Sequence, residues 1–573
     1  MGVLDGQECG WRNEMSPPPI VSRLDAETET YPLLTETEMN RAGQFARLRS
    51  VGSGEVLYRP GDLAVPLFIL KSATVEIVQT ELGGDRLVTV LRPRMFTGEA
   101  GMIGSQRAVV LARVTHPGDV LEISQESLRA LAARDSQLGE ILLRAFLLRR
   151  LMLIVKQLGN VIIIGSRHST DTVRLREFLV RHSHPYTFVD LEIDSISQSL
   201  LDRFGVTLDE IPVVICNDTA VMRNPSVLEL ANCLGLNDNI DDSLLWDVVI
   251  VGAGPAGLAA AVYAASEGLG SLVIESHAPG GQAGSSSRIE NYLGFPTGIS
   301  GQELASSAVA QAQKFGAKIA VARAIVQLRC NRRPYELVLD DGTVLYARTI
   351  VIATGVRYNK PSIHLHDQFE GSGVFYGATQ IESQLCEGEE VVIVGGGNSA
   401  GQAAVFLSEG ARRVYILVRS SSLSGSMSRY LIQRIAANPA IEVLCDSELV
   451  GLAGQDHLEH VSWVNKKTQE VSSKPIRHLF IMTGASPNTE WLQGCVALDD
   501  KGFVLTGHDL DCAKSDDQIA RWPLTRRPQL LETSLPGVFA VGDVRAGSVK
   551  RVASAVGEGA ISVSLVHKAL ADI

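Results

Sequence analysis

No two of the eight cysteines, at Cys9, Cys216, Cys233, Cys330, Cys386, Cys445, Cys495 and Cys512, form a Cys-x-x-Cys pair. That spacing argues against a cysteine zinc site and against a disulfide-scaffolded fold, and no metal site is expected. Basic residues are in the minority: 52 Lys and Arg against 64 Asp and Glu leave a net charge of −12. Such a balance opposes attraction to phosphate backbones and anionic lipid, so nucleic acid is not an expected partner. Long unbroken hydrophobic runs are also missing. Val248–Ser266 and Val391–Ser408 come nearest, and glycines interrupt both early, which excludes a membrane span. Met1–Pro19 lacks the apolar stretch of a secretory leader, and a cytoplasmic protein is expected. What is present, 45% hydrophobic and 20% charged residues in 573, describes a globular chain of about three to four domains.

Residues 1–30, with Pro17-Pro18-Pro19 and an acidic run from Asp25 to Glu29, show no hydrophobic periodicity and are expected to be mobile. From Leu33 to about Ser124 short β-type runs follow one another: Val56–Tyr58, Leu67–Leu70, Val75–Val78, Leu87–Leu91 and Val109–Val114. Their regular spacing predicts a small β-barrel. After Gln125 the pattern turns helical, and Ile141–Gln157 reads as a basic amphipathic helix with Arg144, Arg149 and Arg150. The next unit reads strand (Val161–Ile164), helix (Thr172–Arg181), strand (Tyr186–Leu191), a strand Val213–Cys216 after Ile211-Pro212, and a closing helix Leu228–Leu234. That is a βαβ order.

Two glycine-rich units follow. The apolar strand Asp247–Val251 runs into Gly252-Ala253-Gly254-Pro255-Ala256-Gly257 and an alanine-rich helix. Glycines in this context permit a tight turn and bring a pyrophosphate to the helix N-terminus, where unpaired N–H groups favour anions. Glu275 ends the second strand of the unit, where a carboxylate can accept from a ribose diol. The second unit, Val391–Val394 followed by Gly395-Gly396-Gly397-Asn398-Ser399-Ala400, repeats the pattern. Its second strand ends in Arg419, a cation where an NAD-specific site would carry an acid, so NADPH is expected over NADH. A solvated strand-end arginine is the plainer reading of Arg419.

From Leu245 to Ile573 the chain resembles a low-molecular-weight thioredoxin reductase. Beside the two fingerprints it carries Gly280-Gly281-Gln282, Glu290-Asn291-Tyr292, Ala353-Thr354-Gly355, Thr483-Gly484 with Pro487-Asn488, Gly542-Asp543 and Lys550-Arg551-Val552-Ala553. The resemblance implies FAD and NADPH as cofactors, with Asp543 on the FAD ribitol, Gly281, Gln282, Asn291, Thr354 and Gly355 around the flavin, and the Val552–Ala553 backbone at its pyrimidine edge. It also implies an NADPH domain inserted in a split FAD domain, and a homodimer. The redox cysteines of that family would fall on Ala378 and Ile381, and neither can form a disulfide. Glu382 stands where the family has a proton-transferring acid, although a solvated glutamate is the commoner case. Cys386 is a lone cysteine nearby, more often a small buried hydrophobe than a nucleophile.

The middle unit resembles a glutaredoxin- or thioredoxin-like module, with Ile211-Pro212 where that family has a cis-proline and with its redox pair falling near Ser169 and Thr172. The first unit resembles a cyclic-nucleotide-binding domain through Tyr58–Asp62, Gly98-Glu99 and Arg107-Ala108-Val109. There Arg107 would meet the cyclic phosphate and Glu99 the ribose hydroxyl. Ala73 in place of a usual glycine and a shortened Glu99–Arg107 spacing depart from the pattern, and an empty barrel is the alternative.

The expected architecture is therefore multidomain: a mobile 1–30, a cyclic-nucleotide-binding-like β-barrel with helices over 31–158, an α/β thioredoxin-like module over 159–240, and Rossmann-like FAD (245–372 with 491–573) and NADPH (373–490) domains. The expected activity is an NADPH-dependent flavin oxidoreductase with an external electron acceptor and a regulatory sensor. A cyclic-nucleotide-responsive binding protein with non-catalytic FAD is the rival reading.

Overall fold

The computed structural model describes residues 27–572 apart from 82–83, 99–106, 156–160, 168, 192–209, 217–219, 238–240, 287, 360–362, 364–366, 370–371, 379, 456, 513–521 and 523. The expected mobile segment is outside these residues up to 26, but it ends too late: Glu27–Thr30 form a helical turn and Thr30 is buried.

Helix α1 (Glu36–Gly43) begins with a capping box between Thr35 and Glu38, which satisfies the first unpaired N–H groups. Seven strands follow: β1 (Arg47–Val51), β2 (Val56–Tyr58), β3 (Leu67–Leu70), β4 (Thr74–Glu81), β5 (Gly84–Leu91), β6 (Leu111–His116) and β7 (Gly118–Ile123). They form two antiparallel sheets, ordered β1-β7-β3 and β2-β6-β4-β5, over one core that holds Phe68, Leu70, Val75, Ala112, Val114 and Val120. Helices α2 (Gln125–Arg134) and α3 (Ser136–Val155) lead out. The expected basic solvent face of α3 is not there. Arg149 and Arg150 are buried, because Arg149 finds backbone carbonyls to bond within its own unit and Arg150 finds one in the middle unit.

The middle unit has β8 (Val161–Gly165), α4 (Thr170–Arg181), β9 (Thr187–Asp190), β10 (Val213–Cys216), β11 (Ala220–Arg223) and α5 (Val227–Cys233). Its sheet is ordered β11-β10-β8-β9, with β8 and β9 parallel and β10 antiparallel to β8. The Ile211–Pro212 bond is cis. The unit packs on the edge of the next sheet through a core shared with Val321 and Ala322. Asn237 there pairs both backbone groups of Val321, donating at 3.1 Å and accepting at 2.9 Å, which closes an otherwise open strand edge.

The third unit is a seven-stranded sheet. Strands β12 (Leu245–Val251), β13 (Ser271–Glu275), β14 (Lys318–Val321) and β17 (Val344–Ile352) run parallel, and β16 (Tyr335–Leu339) and then β15 (Ile325–Arg329) extend the sheet beyond β17 as an antiparallel meander. A late strand, Val538–Ala540, also pairs β17, so the chain leaves this domain and returns. Helices α6 (Pro255–Ser266), α7 (Gly301–Phe315) and a C-terminal helix at Val552–Asp572 cover one face. The inserted unit has the parallel order β19-β26-β20-β21-β22, with β18 (Val356–Tyr358), β19 (Val374–Phe375), α8 (Gln380–Leu385), β20 (Glu390–Val394), α9 (Asn398–Leu407), β21 (Arg413–Leu417), α10 (Arg429–Ala437), β22 (Ile441–Leu444), β26 (His478–Ile481) and β27 (Ala485–Pro487). The outgoing and returning segments pair with each other as β18 and β27. Among the described residues no helix is long and apolar enough to cross a membrane.

Candidate functional site

The first glycine turn follows β12. At Gly252 φ is +106°, and a Cβ would lie 2.3 Å from Ala353 O, so no other residue fits. A Cβ on Gly257 would lie 1.9 Å from Gly252 O, which lets α6 approach the turn. Gly254 caps α6, with Pro255 as its first helical residue. A Cβ there would meet nothing nearer than Gly281 Cα at 4.0 Å, leaving room for an anion at the helix N-terminus. Ala256 is buried against Gly542. Glu275, 8% exposed, accepts from Ala253 N at 2.7 Å and His277 N at 2.9 Å, so its carboxylate is fixed beside the turn with lone pairs left for a sugar diol.

Around this turn Gln282 Nε2 donates to Val356 O at 2.6 Å. Thr354 Oγ1 donates to Asn488 O at 2.8 Å while Asn488 Nδ2 donates to Thr354 O at 2.9 Å, and Gly355 adopts φ +60° beside them. Asn291 is exposed on the long connection before α7. At Gly542-Asp543 the backbone is held by Glu558, which accepts from Gly542 N at 2.7 Å and pairs with Arg545 at 2.6 Å. Burial raises the Asp543 carboxyl above its ordinary range, Lys550 opposing and Glu558 adding to it. Val552 and the exposed Ala553 open the C-terminal helix. A half-buried carboxyl, a ribose-side carboxylate and an open helix N-terminus fit a dinucleotide such as FAD.

The second turn is more exposed. A Cβ on Gly395 would lie 2.5 Å from Met482 O, whereas one on Gly397, the cap of α9, meets nothing within 4 Å. Asn398 Oδ1 accepts from Ser428 N at 2.7 Å, Ser399 is exposed and Ala400 is buried. Arg419 is exposed two residues beyond the end of β21, not at the strand end expected. Tyr358 lies between the two turns: burial pushes its phenol up, with Ser399 of the second turn opposing and Asp543 adding to it. Across the same gap Arg434 grips Glu290 at 2.9 and 2.8 Å. Tyr358, Arg434, Glu558 and Arg545 carry no motif of their own, and only their neighbours reveal them.

The two expected redox positions, Ala378 and Ile381, carry no thiol. Ala378 is 6% exposed, and its neighbour Gly377 packs towards Ser285, on the same loop as Gln282. Ile381 lies in α8. Glu382 is not the solvated residue expected but is 5% exposed, because α8 is turned inward here. Cys386 is fully buried, and burial, with Glu382 and Glu389 nearby, holds its thiol far above the usual range; it stays protonated. The spacing argument against a disulfide scaffold did not foresee two disulfides, Cys216–Cys233 and Cys330–Cys495. The first lies in the middle unit's core and the second packs against the core under the third unit's sheet. Motif spacing could not show either pair, because folding brings together residues 17 and 165 positions apart.

In the middle unit Ser169 caps α4, and the fully buried Thr172 and the cis-proline Pro212 both pack against Gly165. In the first unit Gly98 and Ala108 line an apolar cavity together with Tyr58, Ile77, Leu91 and Arg149. Arg107 donates to Gly61 O at 3.1 Å, and Glu99 lies outside the described residues.

Residues 246–559 match the model of the pyridine nucleotide-disulphide oxidoreductase family, and residues 48–135 match that of the cyclic nucleotide-binding domain. A thioredoxin reductase of Mycoplasmopsis pulmonis is 32% identical over 324 residues, 56% of this chain and 95% of that protein. One from Treponema pallidum is 34% identical over 318 residues, 55% of this chain and 94% of its own length. Of solved structures, Lactococcus lactis thioredoxin reductase is similar with a TM-score of 0.50 at 28% identity, covering 57% of this chain and 100% of that one. The T. acidophilum thioredoxin reductase has the same score and identity, covering 57% of this chain and 99% of that one.

Proposed function

Because this chain belongs to the pyridine nucleotide-disulphide oxidoreductase family, in its thioredoxin reductase branch, we propose that its reaction delivers electrons to an acceptor outside the polypeptide, with no cysteine pair of its own as the relay. The chain is an NADPH- and FAD-dependent oxidoreductase joined to a cyclic nucleotide-binding domain. Bound FAD supplies the hydride-accepting chemistry. The chain's own residues orient the partners. Gly254 and the α6 N-terminus would take the pyrophosphate, Glu275 a ribose, and Asp543 the ribitol. Gly397, Ser399 and Arg419 would take NADPH, the guanidinium meeting the 2′-phosphate.

The observation that carries the external acceptor is the Gly377–Cys386 segment. Ala378 occupies the first expected thiol position against the Ser285 loop, and the one thiol nearby, Cys386, is buried and protonated. The test is anaerobic addition of NADPH followed by a panel of acceptors. Bleaching of the flavin band, turnover with quinone or ferricyanide, and none with thioredoxin plus a disulfide reporter are expected. A flavin that stays oxidised would favour the non-catalytic binding protein. Thioredoxin reduction that survives Cys386→Ser would overturn the external-acceptor reading and direct attention to the two cystines. For the N-terminal unit the proposed ligand is a cyclic nucleotide; calorimetry with cyclic AMP and cyclic GMP, repeated on Arg107→Ala, tests it.

A further inference from the structure

The middle unit has no thiols at its expected redox positions, yet its helix α4 ends against the flavin site. Arg181, the last residue of α4, donates from Nη2 to Gly281 O at 3.0 Å. Gly281 lies over the first glycine turn: a Cβ on it would fall 3.1 Å from Gly254 Cα, and the preceding Gly280 N donates to Ala253 O at 2.8 Å. The same loop reaches β18 through Gln282 and the Gly377–Ala378 segment through Ser285. Whatever holds Gly281 therefore sets the roof of the pyrophosphate position. The Arg181 side chain makes this one carbonyl bond, and its Nε is buried without an acceptor. A guanidinium whose Nε is buried unbonded carries a desolvation cost that one carbonyl bond offsets only in part, which points to placement rather than stability as its role.

Arg181 is in turn held from two sides. From the flavin domain, Gln302 Nε2 on α7 donates to Arg181 O at 2.8 Å and to Ser183 Oγ at 3.0 Å, and Ser306 Oγ lies 2.7 Å from Ser183 Oγ. From the N-terminal unit, Arg150 Nε on α3 donates to Ser183 O at 2.8 Å, and its Nη2 lies 3.3 Å from His184 Nδ1. Ser183 has φ +50°, a conformation few non-glycine residues adopt without surrounding contacts to hold it. The residue before Arg150 grips the body of their own unit: Arg149 donates to Gly98 O at 2.8 Å, Phe96 O at 3.0 Å and Thr30 O at 2.9 Å. Two consecutive residues of one helix thus hold the rim of the N-terminal cavity and the end of α4.

We propose that Arg181 is a positioning residue for the flavin site, and that the middle unit is a strut through which α3 of the N-terminal unit sets the Gly280–Gln282 loop. The proposal rests on reading Gly254 and Gly281 as the FAD cradle. It is tested on the full-length chain by FAD affinity from flavin fluorescence and by amide hydrogen exchange over residues 280–285 in the apoprotein. Arg181→Ala is expected to weaken FAD binding about tenfold and to raise exchange in the loop. Arg181→Lys, which retains one donor, should recover most of both. Arg150→Ala, in another unit, should reproduce the effect at about two- to fourfold. Wild-type affinity and exchange in Arg181→Ala would overturn the proposal. An Arg150→Ala variant indistinguishable from wild type would overturn the strut. If Arg181→Ala does not accumulate folded, the Lys variant and Arg150→Ala decide on the same readouts. Gly254→Val serves as the control: FAD retained there would overturn the cradle reading itself, whereas FAD lost there with Arg181→Ala unaffected would overturn the strut alone.

Discussion

The two glycine turns have the same plan and different closure. Both place an unobstructed glycine, Gly254 or Gly397, at the N-terminus of a helix. In the first, Gly281 roofs the turn, Glu275 is buried and bonded to Ala253 N, and Gly257 lets α6 press on Gly252. In the second, Ala400 takes the place of Gly257, nothing among the described residues lies within 4 Å of a Cβ on Gly397, and an exposed Arg419 follows the strand. One turn is enclosed on several sides and the other opens to solvent. That difference suits a cofactor that stays and a cofactor that must enter and leave on each turnover.

The sharpest way to break this comparison is to exchange the residues at the sixth position. Gly257→Ala should cost about 3 kcal/mol or more, since its Cβ would strike Gly252 O, whereas Ala400→Gly should cost about 1 kcal/mol. Urea midpoints check both, and equal losses would mean that the two helices approach their turns alike. Next in size is cofactor retention. Gly254→Val and Asp543→Ala should emerge from desalting without flavin absorbance, the first by filling the pyrophosphate position and the second by removing the ribitol acceptor; yellow variants would refute those roles. Smaller is coenzyme choice. Arg419→Ala should raise the KM for NADPH about tenfold and leave that for NADH unchanged, as steady-state kinetics with both would reveal.

The smallest expected effect is pH dependence confined to the enclosed turn. Burial raises the folded pKa of Asp543 above the ordinary 3.8, so the folded apoprotein holds this proton more tightly than the unfolded chain. Its contribution is therefore full below the ordinary value and is lost as pH rises through the raised one. Melting temperatures of the apoprotein across this range should decline more in wild type than in Asp543→Asn. Identical profiles would show that the carboxyl is better solvated than its burial suggests.

Local features were legible because each is written in one short window. A strand that runs into a glycine turn and a helix needs only the period of its apolar residues and the backbone freedom of glycine, and both turns fall where the pattern places them. Strands β2 to β6 and β8 to β10 were legible for the same reason, whereas β1, β7 and β11 were not read and the cis prolyl bond before β10 was expected only from a resemblance. The cystine pairs, the buried Glu382, the inward Arg149 and Arg150, and the Arg181–Gly281 contact were not. The sequence by itself determined the order of the units, their glycine turns and the missing thiols, since these depend on residues adjacent in the chain. Only the tertiary structure decided which cysteines meet, which charges are covered, and that Arg181 reaches Gly281 across 100 residues. Such contacts arise when separately folded units pack, and a side chain's environment is set by what covers it.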